Sequence, residues 1–181
     1  MENNNAPRVK TAFWRSRKVL MIIFVVLQIL FLSGITFSYY MVDWYGKEIK
    51  LQTEPFDPRD IFQGDYVILN YTISTIPNSL WEGKDPAEHG DVIYVVLKPV
   101  NQVYETAAAY PDKPSGLSGD EVVLKGRVDY PSPDSIRVRY GLERYYVPEG
   151  TGKVLEEQSK DMIVHVKIAP WGQVKITKVG E

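Results

Sequence analysis

Two stretches of the chain gather the side chains that could move protons or hold a cation. In the first, Asp57, Asp60 and Asp65 fall within nine residues beside Arg59, and their carboxylates are the ligand type that a hard cation such as calcium takes. The spacing is irregular and lacks the ligand ladder and closing glutamate of an EF-hand loop. A turn is the more economical reading: Asp57 or Asp60 caps backbone amides, and Arg59 pairs with a carboxylate such as Glu143. In the second, Glu143, Arg144 and Glu149 stand among Tyr140, Tyr145 and Tyr146. Two carboxylates facing each other across a cleft, about 5–10 Å apart, do the acid–base work of glycoside hydrolysis. Asp65, Glu143 and Glu149 are the candidates for it. In an extended segment, however, Glu143 shares a face with Tyr145, and Arg144 shares the other with Tyr146. Structural ion pairs also far outnumber active sites. The expectation is no catalytic residue, no metal and no cofactor. Asp57, Arg59, Asp60, Gly64, Asp65, Tyr66, Tyr71, Tyr140, Glu143, Arg144, Tyr145 and Glu149 are candidate binding positions that suit a structural role equally well.

Other chemistries find little material. There is no cysteine, hence no disulfide, thiol nucleophile or thiolate metal site. The two histidines, His89 in a turn and His165 in a strand-like run, make neither a three-ligand zinc site nor a triad; His165 reads as a surface or edge-strand residue. Gly64-Asp65-x-Val67 downstream of an apolar segment has some similarity to type I signal peptidases, which resemble this layout but need a serine just beyond the membrane. Between Asp43 and Gln63 there is no serine, and Thr53 is the only aliphatic hydroxyl. Without a nucleophile there, no lysine can supply the activity.

The strongest local signature is Gly64-Asp65-Tyr66-Val67-Ile68-Leu69-Asn70-Tyr71. It resembles, position for position, the Gly-Asp-Tyr-x-x-Leu-x-Tyr motif of the GDYXXLXY family. Asp57-Pro58-Arg59-Asp60, Lys125-Gly126-Arg127-Val128 and the run Tyr140 to Gly150 also look like family features. The resemblance implies a bacterial, membrane-anchored β domain, with members often encoded beside polytopic membrane proteins. Physically, Gly64 and Asp65 suit a turn entering a strand. Tyr66 and Tyr71, five positions apart, should point to opposite faces, one buried and one exposed.

The elements that must position these residues begin with an anchor. Val19 to Val42 is a run of twenty-four uncharged residues, long enough as a helix to span a hydrocarbon core of about 30 Å. Ahead of it stand Arg8, Lys10, Arg15, Arg17 and Lys18, with Glu2 the only acid, which places residues 1–18 in the cytoplasm. The run is too long for a signal-peptide core and ends in bulky Tyr39, Tyr40 and Met41, so an uncleaved signal-anchor is expected. Tyr39, Tyr40, Trp44 and Tyr45 form an aromatic belt, and Ser33, Gly34 and Ser38 offer small residues for close helix approach. The remaining residues, 43–181, carry 22 acids and 16 bases, a formal charge of −6 that the basic tail masks. That balance excludes a nucleic-acid footprint.

Residues 43–56 read as a juxtamembrane connector, either more helix or a stalk, and 57–181 as an extracytoplasmic β-rich domain. Val67, Leu69, Tyr71 and Ile73 alternate on one strand face. Further strands are expected at Asp91–Lys98, Gln102–Ala107, Glu121–Asp129, Ser135–Tyr140, Met162–Ala169 and Gln173–Val179. Hairpins are expected at Pro99–Asn101 and Pro170–Gly172. Tyr110–Gly119 is a long loop, and Gly150–Lys160, capped by Thr151, the one short helix. Many short strands without β-α-β alternation imply a sandwich or a partly open barrel. The implied partners are the lipid bilayer through residues 19–42 and a membrane protein. The function this suggests is an interaction or accessory module for a membrane protein or envelope component; the alternative is an extracytoplasmic hydrolase of envelope glycan or peptide using paired carboxylates.

Overall fold

The computed structural model describes residues 9–54, 66–146 and 162–180. The chain divides after Met41 into an N-terminal helical unit and a β domain beginning at Val42. Helix α1 runs Val9–Tyr45 and contains one segment long and apolar enough to cross a membrane, Arg17–Tyr45. From Val19 to Phe37 its apolar side chains are exposed on every side: Met21 and Phe24 are each 69 % exposed. Such a surface is compatible with a membrane-crossing helix. Two hydroxyls in the run bond back to the helix, Thr36 Oγ1 to Leu32 O and Ser38 Oγ to Ile35 O, which satisfies these polar groups without an outside partner.

The domain is mainly β. Its strands are β1 Lys47–Gln52, β2 Tyr66–Ile68, β3 Thr75–Pro77, β4 Val92–Val100, β5 Val103–Tyr110, β6 Val122–Pro131, β7 Ser135–Arg139, β8 Arg144–Tyr146, β9 Ile163–Ile168 and β10 Val174–Val179. They form an antiparallel sheet ordered β3-β7-β6-β4-β5, a second ordered β1-β9-β10, and the pair β2-β8. β1 lies against β5, and a bridge joins Thr53, just past β1, to Tyr71, ahead of β3. The sheet is thereby nearly closed. Bulges at Val96/Leu97, Val128/Tyr130 and Ile176/Lys178 provide the extra twist that such curvature needs. Alternation sends one face inward: Ile93, Val95 and Leu97 from β4, Val122, Leu124 and Val128 from β6, Val164 and Val166 from β9.

Expected and observed strands agree closely from β4 to β7 and in β9 and β10. The turn between β4 and β5 is tighter than expected, with Asn101-Gln102 at its tip and Asn101 at φ +55°. The Pro170–Gly172 hairpin forms, with Gly172 at φ +90° and donating from its N to Ala169 O. The described part of the expected connector, 43–54, is neither all helix nor a stalk. α1 ends at Tyr45, and Lys47–Gln52 is β1, burying Ile49 and Leu51 in the core. The motif run is not one continuous strand. β2 stops at Ile68, and Thr72–Ser74 is a 3-10 turn. The alternation of burial survives the break, since Leu69, Tyr71 and Ile73 are all buried. His165 is on the central strand β9, not an edge, 18 % exposed and hydrogen-bonded through Nδ1 to Glu48 Oε1 at 2.8 Å. The short helix expected at 150–160 lies outside the described residues.

Candidate functional site

Strand β7 ends at Arg139, and the next four residues make a tight turn. Gly141 adopts φ +80°, a left-handed conformation that disfavours any Cβ. One carboxylate oxygen of Glu143 accepts hydrogen bonds from Tyr140 N and Gly141 N, which holds the turn closed. The backbone of Glu143 is used as well: Leu69 N donates to Glu143 O at 2.8 Å. From there β8 pairs with β2 in the register Tyr66 to Tyr146, Val67 to Tyr145 and Ile68 to Arg144.

Two tyrosines then join the segments reciprocally. Tyr71 Oη donates to Leu142 O at 2.9 Å, and Tyr140 Oη donates to Ile73 O at 2.7 Å. Each phenol thus satisfies a buried carbonyl on the other's segment, a group that would otherwise be costly to bury. Tyr71 is fully buried and Tyr140 5 % exposed. Burial pushes both phenols far above the ordinary tyrosine pKa, and the nearby Glu143 carboxylate pushes them further. At any physiological pH they are neutral, fixed donors. Phenols so committed tie their two segments together.

Room for Tyr140 comes from Gly126 on β6. A Cβ there would stand 2.4 Å from Val138 Cγ1 and 3.0 Å from Tyr140 Cε1. Within the Lys125–Val128 run, this close approach is the physical reason for a glycine at 126. Thr53 is also committed: its Oγ1 donates to Met162 O at 3.0 Å and the residue is 3 % exposed. The one hydroxyl in the position a peptidase nucleophile would occupy is therefore a buried tie between β1 and β9.

The structure thus brings Tyr71, Tyr140 and Glu143 together, with the β2 backbone at Tyr66 nearby. Arg144 is exposed, Tyr145 half-buried and Tyr146 exposed, the alternation expected for the segment. Asp57, Arg59, Asp60, Gly64, Asp65 and Glu149 lie outside the described residues, as do the calcium turn, the Arg59 pair and the second carboxylate of an acid–base couple. Among the described residues no three His, Asp or Glu side chains group as metal ligands.

A feature the sequence reading missed lies elsewhere in the β domain: a groove of about 340 Å³ between the β9–β10 hairpin and the loop joining β5 to β6. Tyr94, Leu117 and Trp171 line it together with Lys47, Lys113 and Lys125. Lys47 Nζ donates to Gly119 O and Asp120 O, fastening the loop to the start of β1. The sequence signals were a tryptophan at a hairpin tip and an apolar Leu117 in a Pro- and Gly-rich loop; nothing in their spacing showed that they meet.

A nearly closed β domain behind an N-terminal apolar helix, with paired tyrosines bridging the turn after β7, defines the class. The GDYXXLXY protein model matches residues 28–179, most of the chain, and the chain belongs to that family. No curated protein and no solved structure matches it.

Proposed function

We propose that the protein is an uncleaved single-pass membrane protein with a cytoplasmic N-terminus, whose extracytoplasmic β domain engages a neighbouring membrane protein or envelope component. The observation that carries this reading is the absence of a linker. The final turn of α1 already belongs to the β domain: Val42 is fully buried, Lys167 Nζ donates to Asp43 O, and Lys175 Nζ pairs with Asp43 Oδ2 at 2.8 Å. Only Gly46 separates α1 from β1. The β domain thus begins directly after the apolar run in the chain, which supports contact with what lies at the membrane surface. The basic residues ahead of the run support the orientation. The commitment of Tyr71, Tyr140 and Glu143 to the core supports a binding role over a catalytic one.

The natural lack of cysteine makes a clean test. Single cysteines introduced at Ser79 and at Asn4 are exposed, in intact cells, to a membrane-impermeant maleimide; labelling at 79 alone is expected, and labelling at 4 overturns the orientation. Pull-down of the full chain from mild detergent, with and without Gly34→Ile, tests helix contact with a membrane partner, because the larger side chain blocks close approach. Loss of partner recovery is expected, and unchanged recovery counts against that contact.

A further inference from the structure

The groove has a composition that its domain does not share. Residues 43–181 are acidic overall, with 22 acids against 16 bases, yet the groove is lined by three lysines and no carboxylate. Lys113 and Lys125 make no ion pair or hydrogen bond among the described residues, and both are exposed. A hollow beside Trp81 is the reverse, carrying Glu82, Asp85, Asp91 and Asp112 with Lys84.

The groove also concentrates apolar surface. Six large apolar side chains of the β domain are exposed among the described residues: Trp44, Tyr45, Leu117, Tyr130, Tyr146 and Trp171. Three of them, Tyr45, Leu117 and Trp171, line this one groove. Leaving an indole half in water forfeits burial, and contiguous patches of this kind mark contact sites. Tyr45 is three residues beyond the end of the apolar run, about 4.5 Å of helical rise, within the headgroup layer that flanks the hydrocarbon core.

We propose that the groove seats an anionic phospholipid of the leaflet next to residue 45, with Lys113 and Lys125 attracting its phosphate and Tyr45, Leu117 and Trp171 meeting its acyl chains. Positive charge beside apolar side chains is the complement of such a lipid. A carboxylate-free lining allows an otherwise acidic domain to approach a negative surface. The inference rests on the membrane-anchored reading, whose own failure is separable: a chain that does not insert never appears in a bilayer disc.

The test uses the full chain in nanodiscs of phosphatidylcholine, with or without phosphatidylglycerol. Acrylamide quenching of Trp171, taken as the difference between the wild type and Trp171→Phe, reports the groove. Protection in phosphatidylglycerol discs is expected. Lys113→Glu/Lys125→Glu should abolish it, weakening retention of the lipid on the order of tenfold or more, and Lys113→Arg/Lys125→Arg should keep it. Both lysines are exposed, so an unchanged melting temperature verifies the fold of each variant. Equal quenching in the two lipids, or protection that survives the glutamate pair, overturns the proposal. Protection by soluble glycerophosphoglycerol in phosphatidylcholine discs would make the site one for a free phosphodiester. Protection that needs an added membrane protein would assign the groove to that protein; either result also overturns it.

Discussion

The tyrosine pair and the lysine groove belong to the same β domain and use polar groups in opposite ways. At Tyr71 and Tyr140 every hydroxyl is buried and aimed at a backbone carbonyl. In the groove, Lys113 and Lys125 are exposed, and apolar side chains beside them lie open. The family motif, the most recognisable part of the chain, therefore works inward. The groove residues come instead from a loop, a hairpin tip and the exposed side of β6, where Lys125 opens the Lys125–Val128 run. A signature in sequence marks where a fold is hard to build, and that need not be where it acts.

The sharpest way to break this contrast is to remove a tyrosine. Tyr71→Ala empties a fully buried site, and losing a large aromatic side chain from a core costs about 3–5 kcal/mol. Chemical denaturation of the full chain in detergent should show the β domain near or beyond its stability limit. A variant melting like the wild type would mean that the pair is not structural. Gly126→Val attacks the same place from the other side. Its Cβ would collide with Val138 and crowd the ring of Tyr140, and overpacking of this kind costs about 2–3 kcal/mol. Tyr140→Phe keeps the ring but orphans Ile73 O in a buried setting, an expected loss of about 1–2 kcal/mol. None of the three should alter acrylamide access to Trp171 in a chain that remains folded. The lysine variants should do the converse, changing that access at constant stability.

Much of this fold was legible because period-two alternation is written directly into the strands. In β9, Val164, Val166 and Ile168 face inward, while His165 and Lys167 face out. Turn chemistry also showed through, as at Gly172. The motif segment was misread as a single strand because burial continues at Leu69, Tyr71 and Ile73 although the backbone leaves the ladder after Ile68. Periodicity reports the face, not the hydrogen bonding. β1 was hidden because Lys47, Glu48 and Lys50 dilute a strand that contributes only Ile49 and Leu51 to the core. The pairing of Tyr71 with Tyr140 joins residues far apart in sequence, and spacing cannot express it. The groove is harder still, since its walls come from four separate parts of the chain.

The smallest expected effect concerns pH and separates the buried pair from the surface. Because burial keeps Tyr71 and Tyr140 neutral donors, mild acid or alkali should not act through them. Acid sensitivity should come instead from Glu48, whose carboxyl is held below its ordinary pKa of 4.5 by the hydrogen bond with His165. A depressed carboxylate contributes stability that is complete above that ordinary value and is lost as pH falls through its folded value. The Glu48 side chain is 52 % exposed, and exposed pairs are worth about 0.2–1 kcal/mol, a shift of about 1–3 °C in melting temperature for a domain of this size. Glu48→Gln should therefore melt slightly below the wild type near neutrality and converge with it in acid. If the two curves instead stay parallel through the carboxylate range, the acid response lies elsewhere, and the division between a pH-insensitive core pair and a titrating outer pair would have to be redrawn.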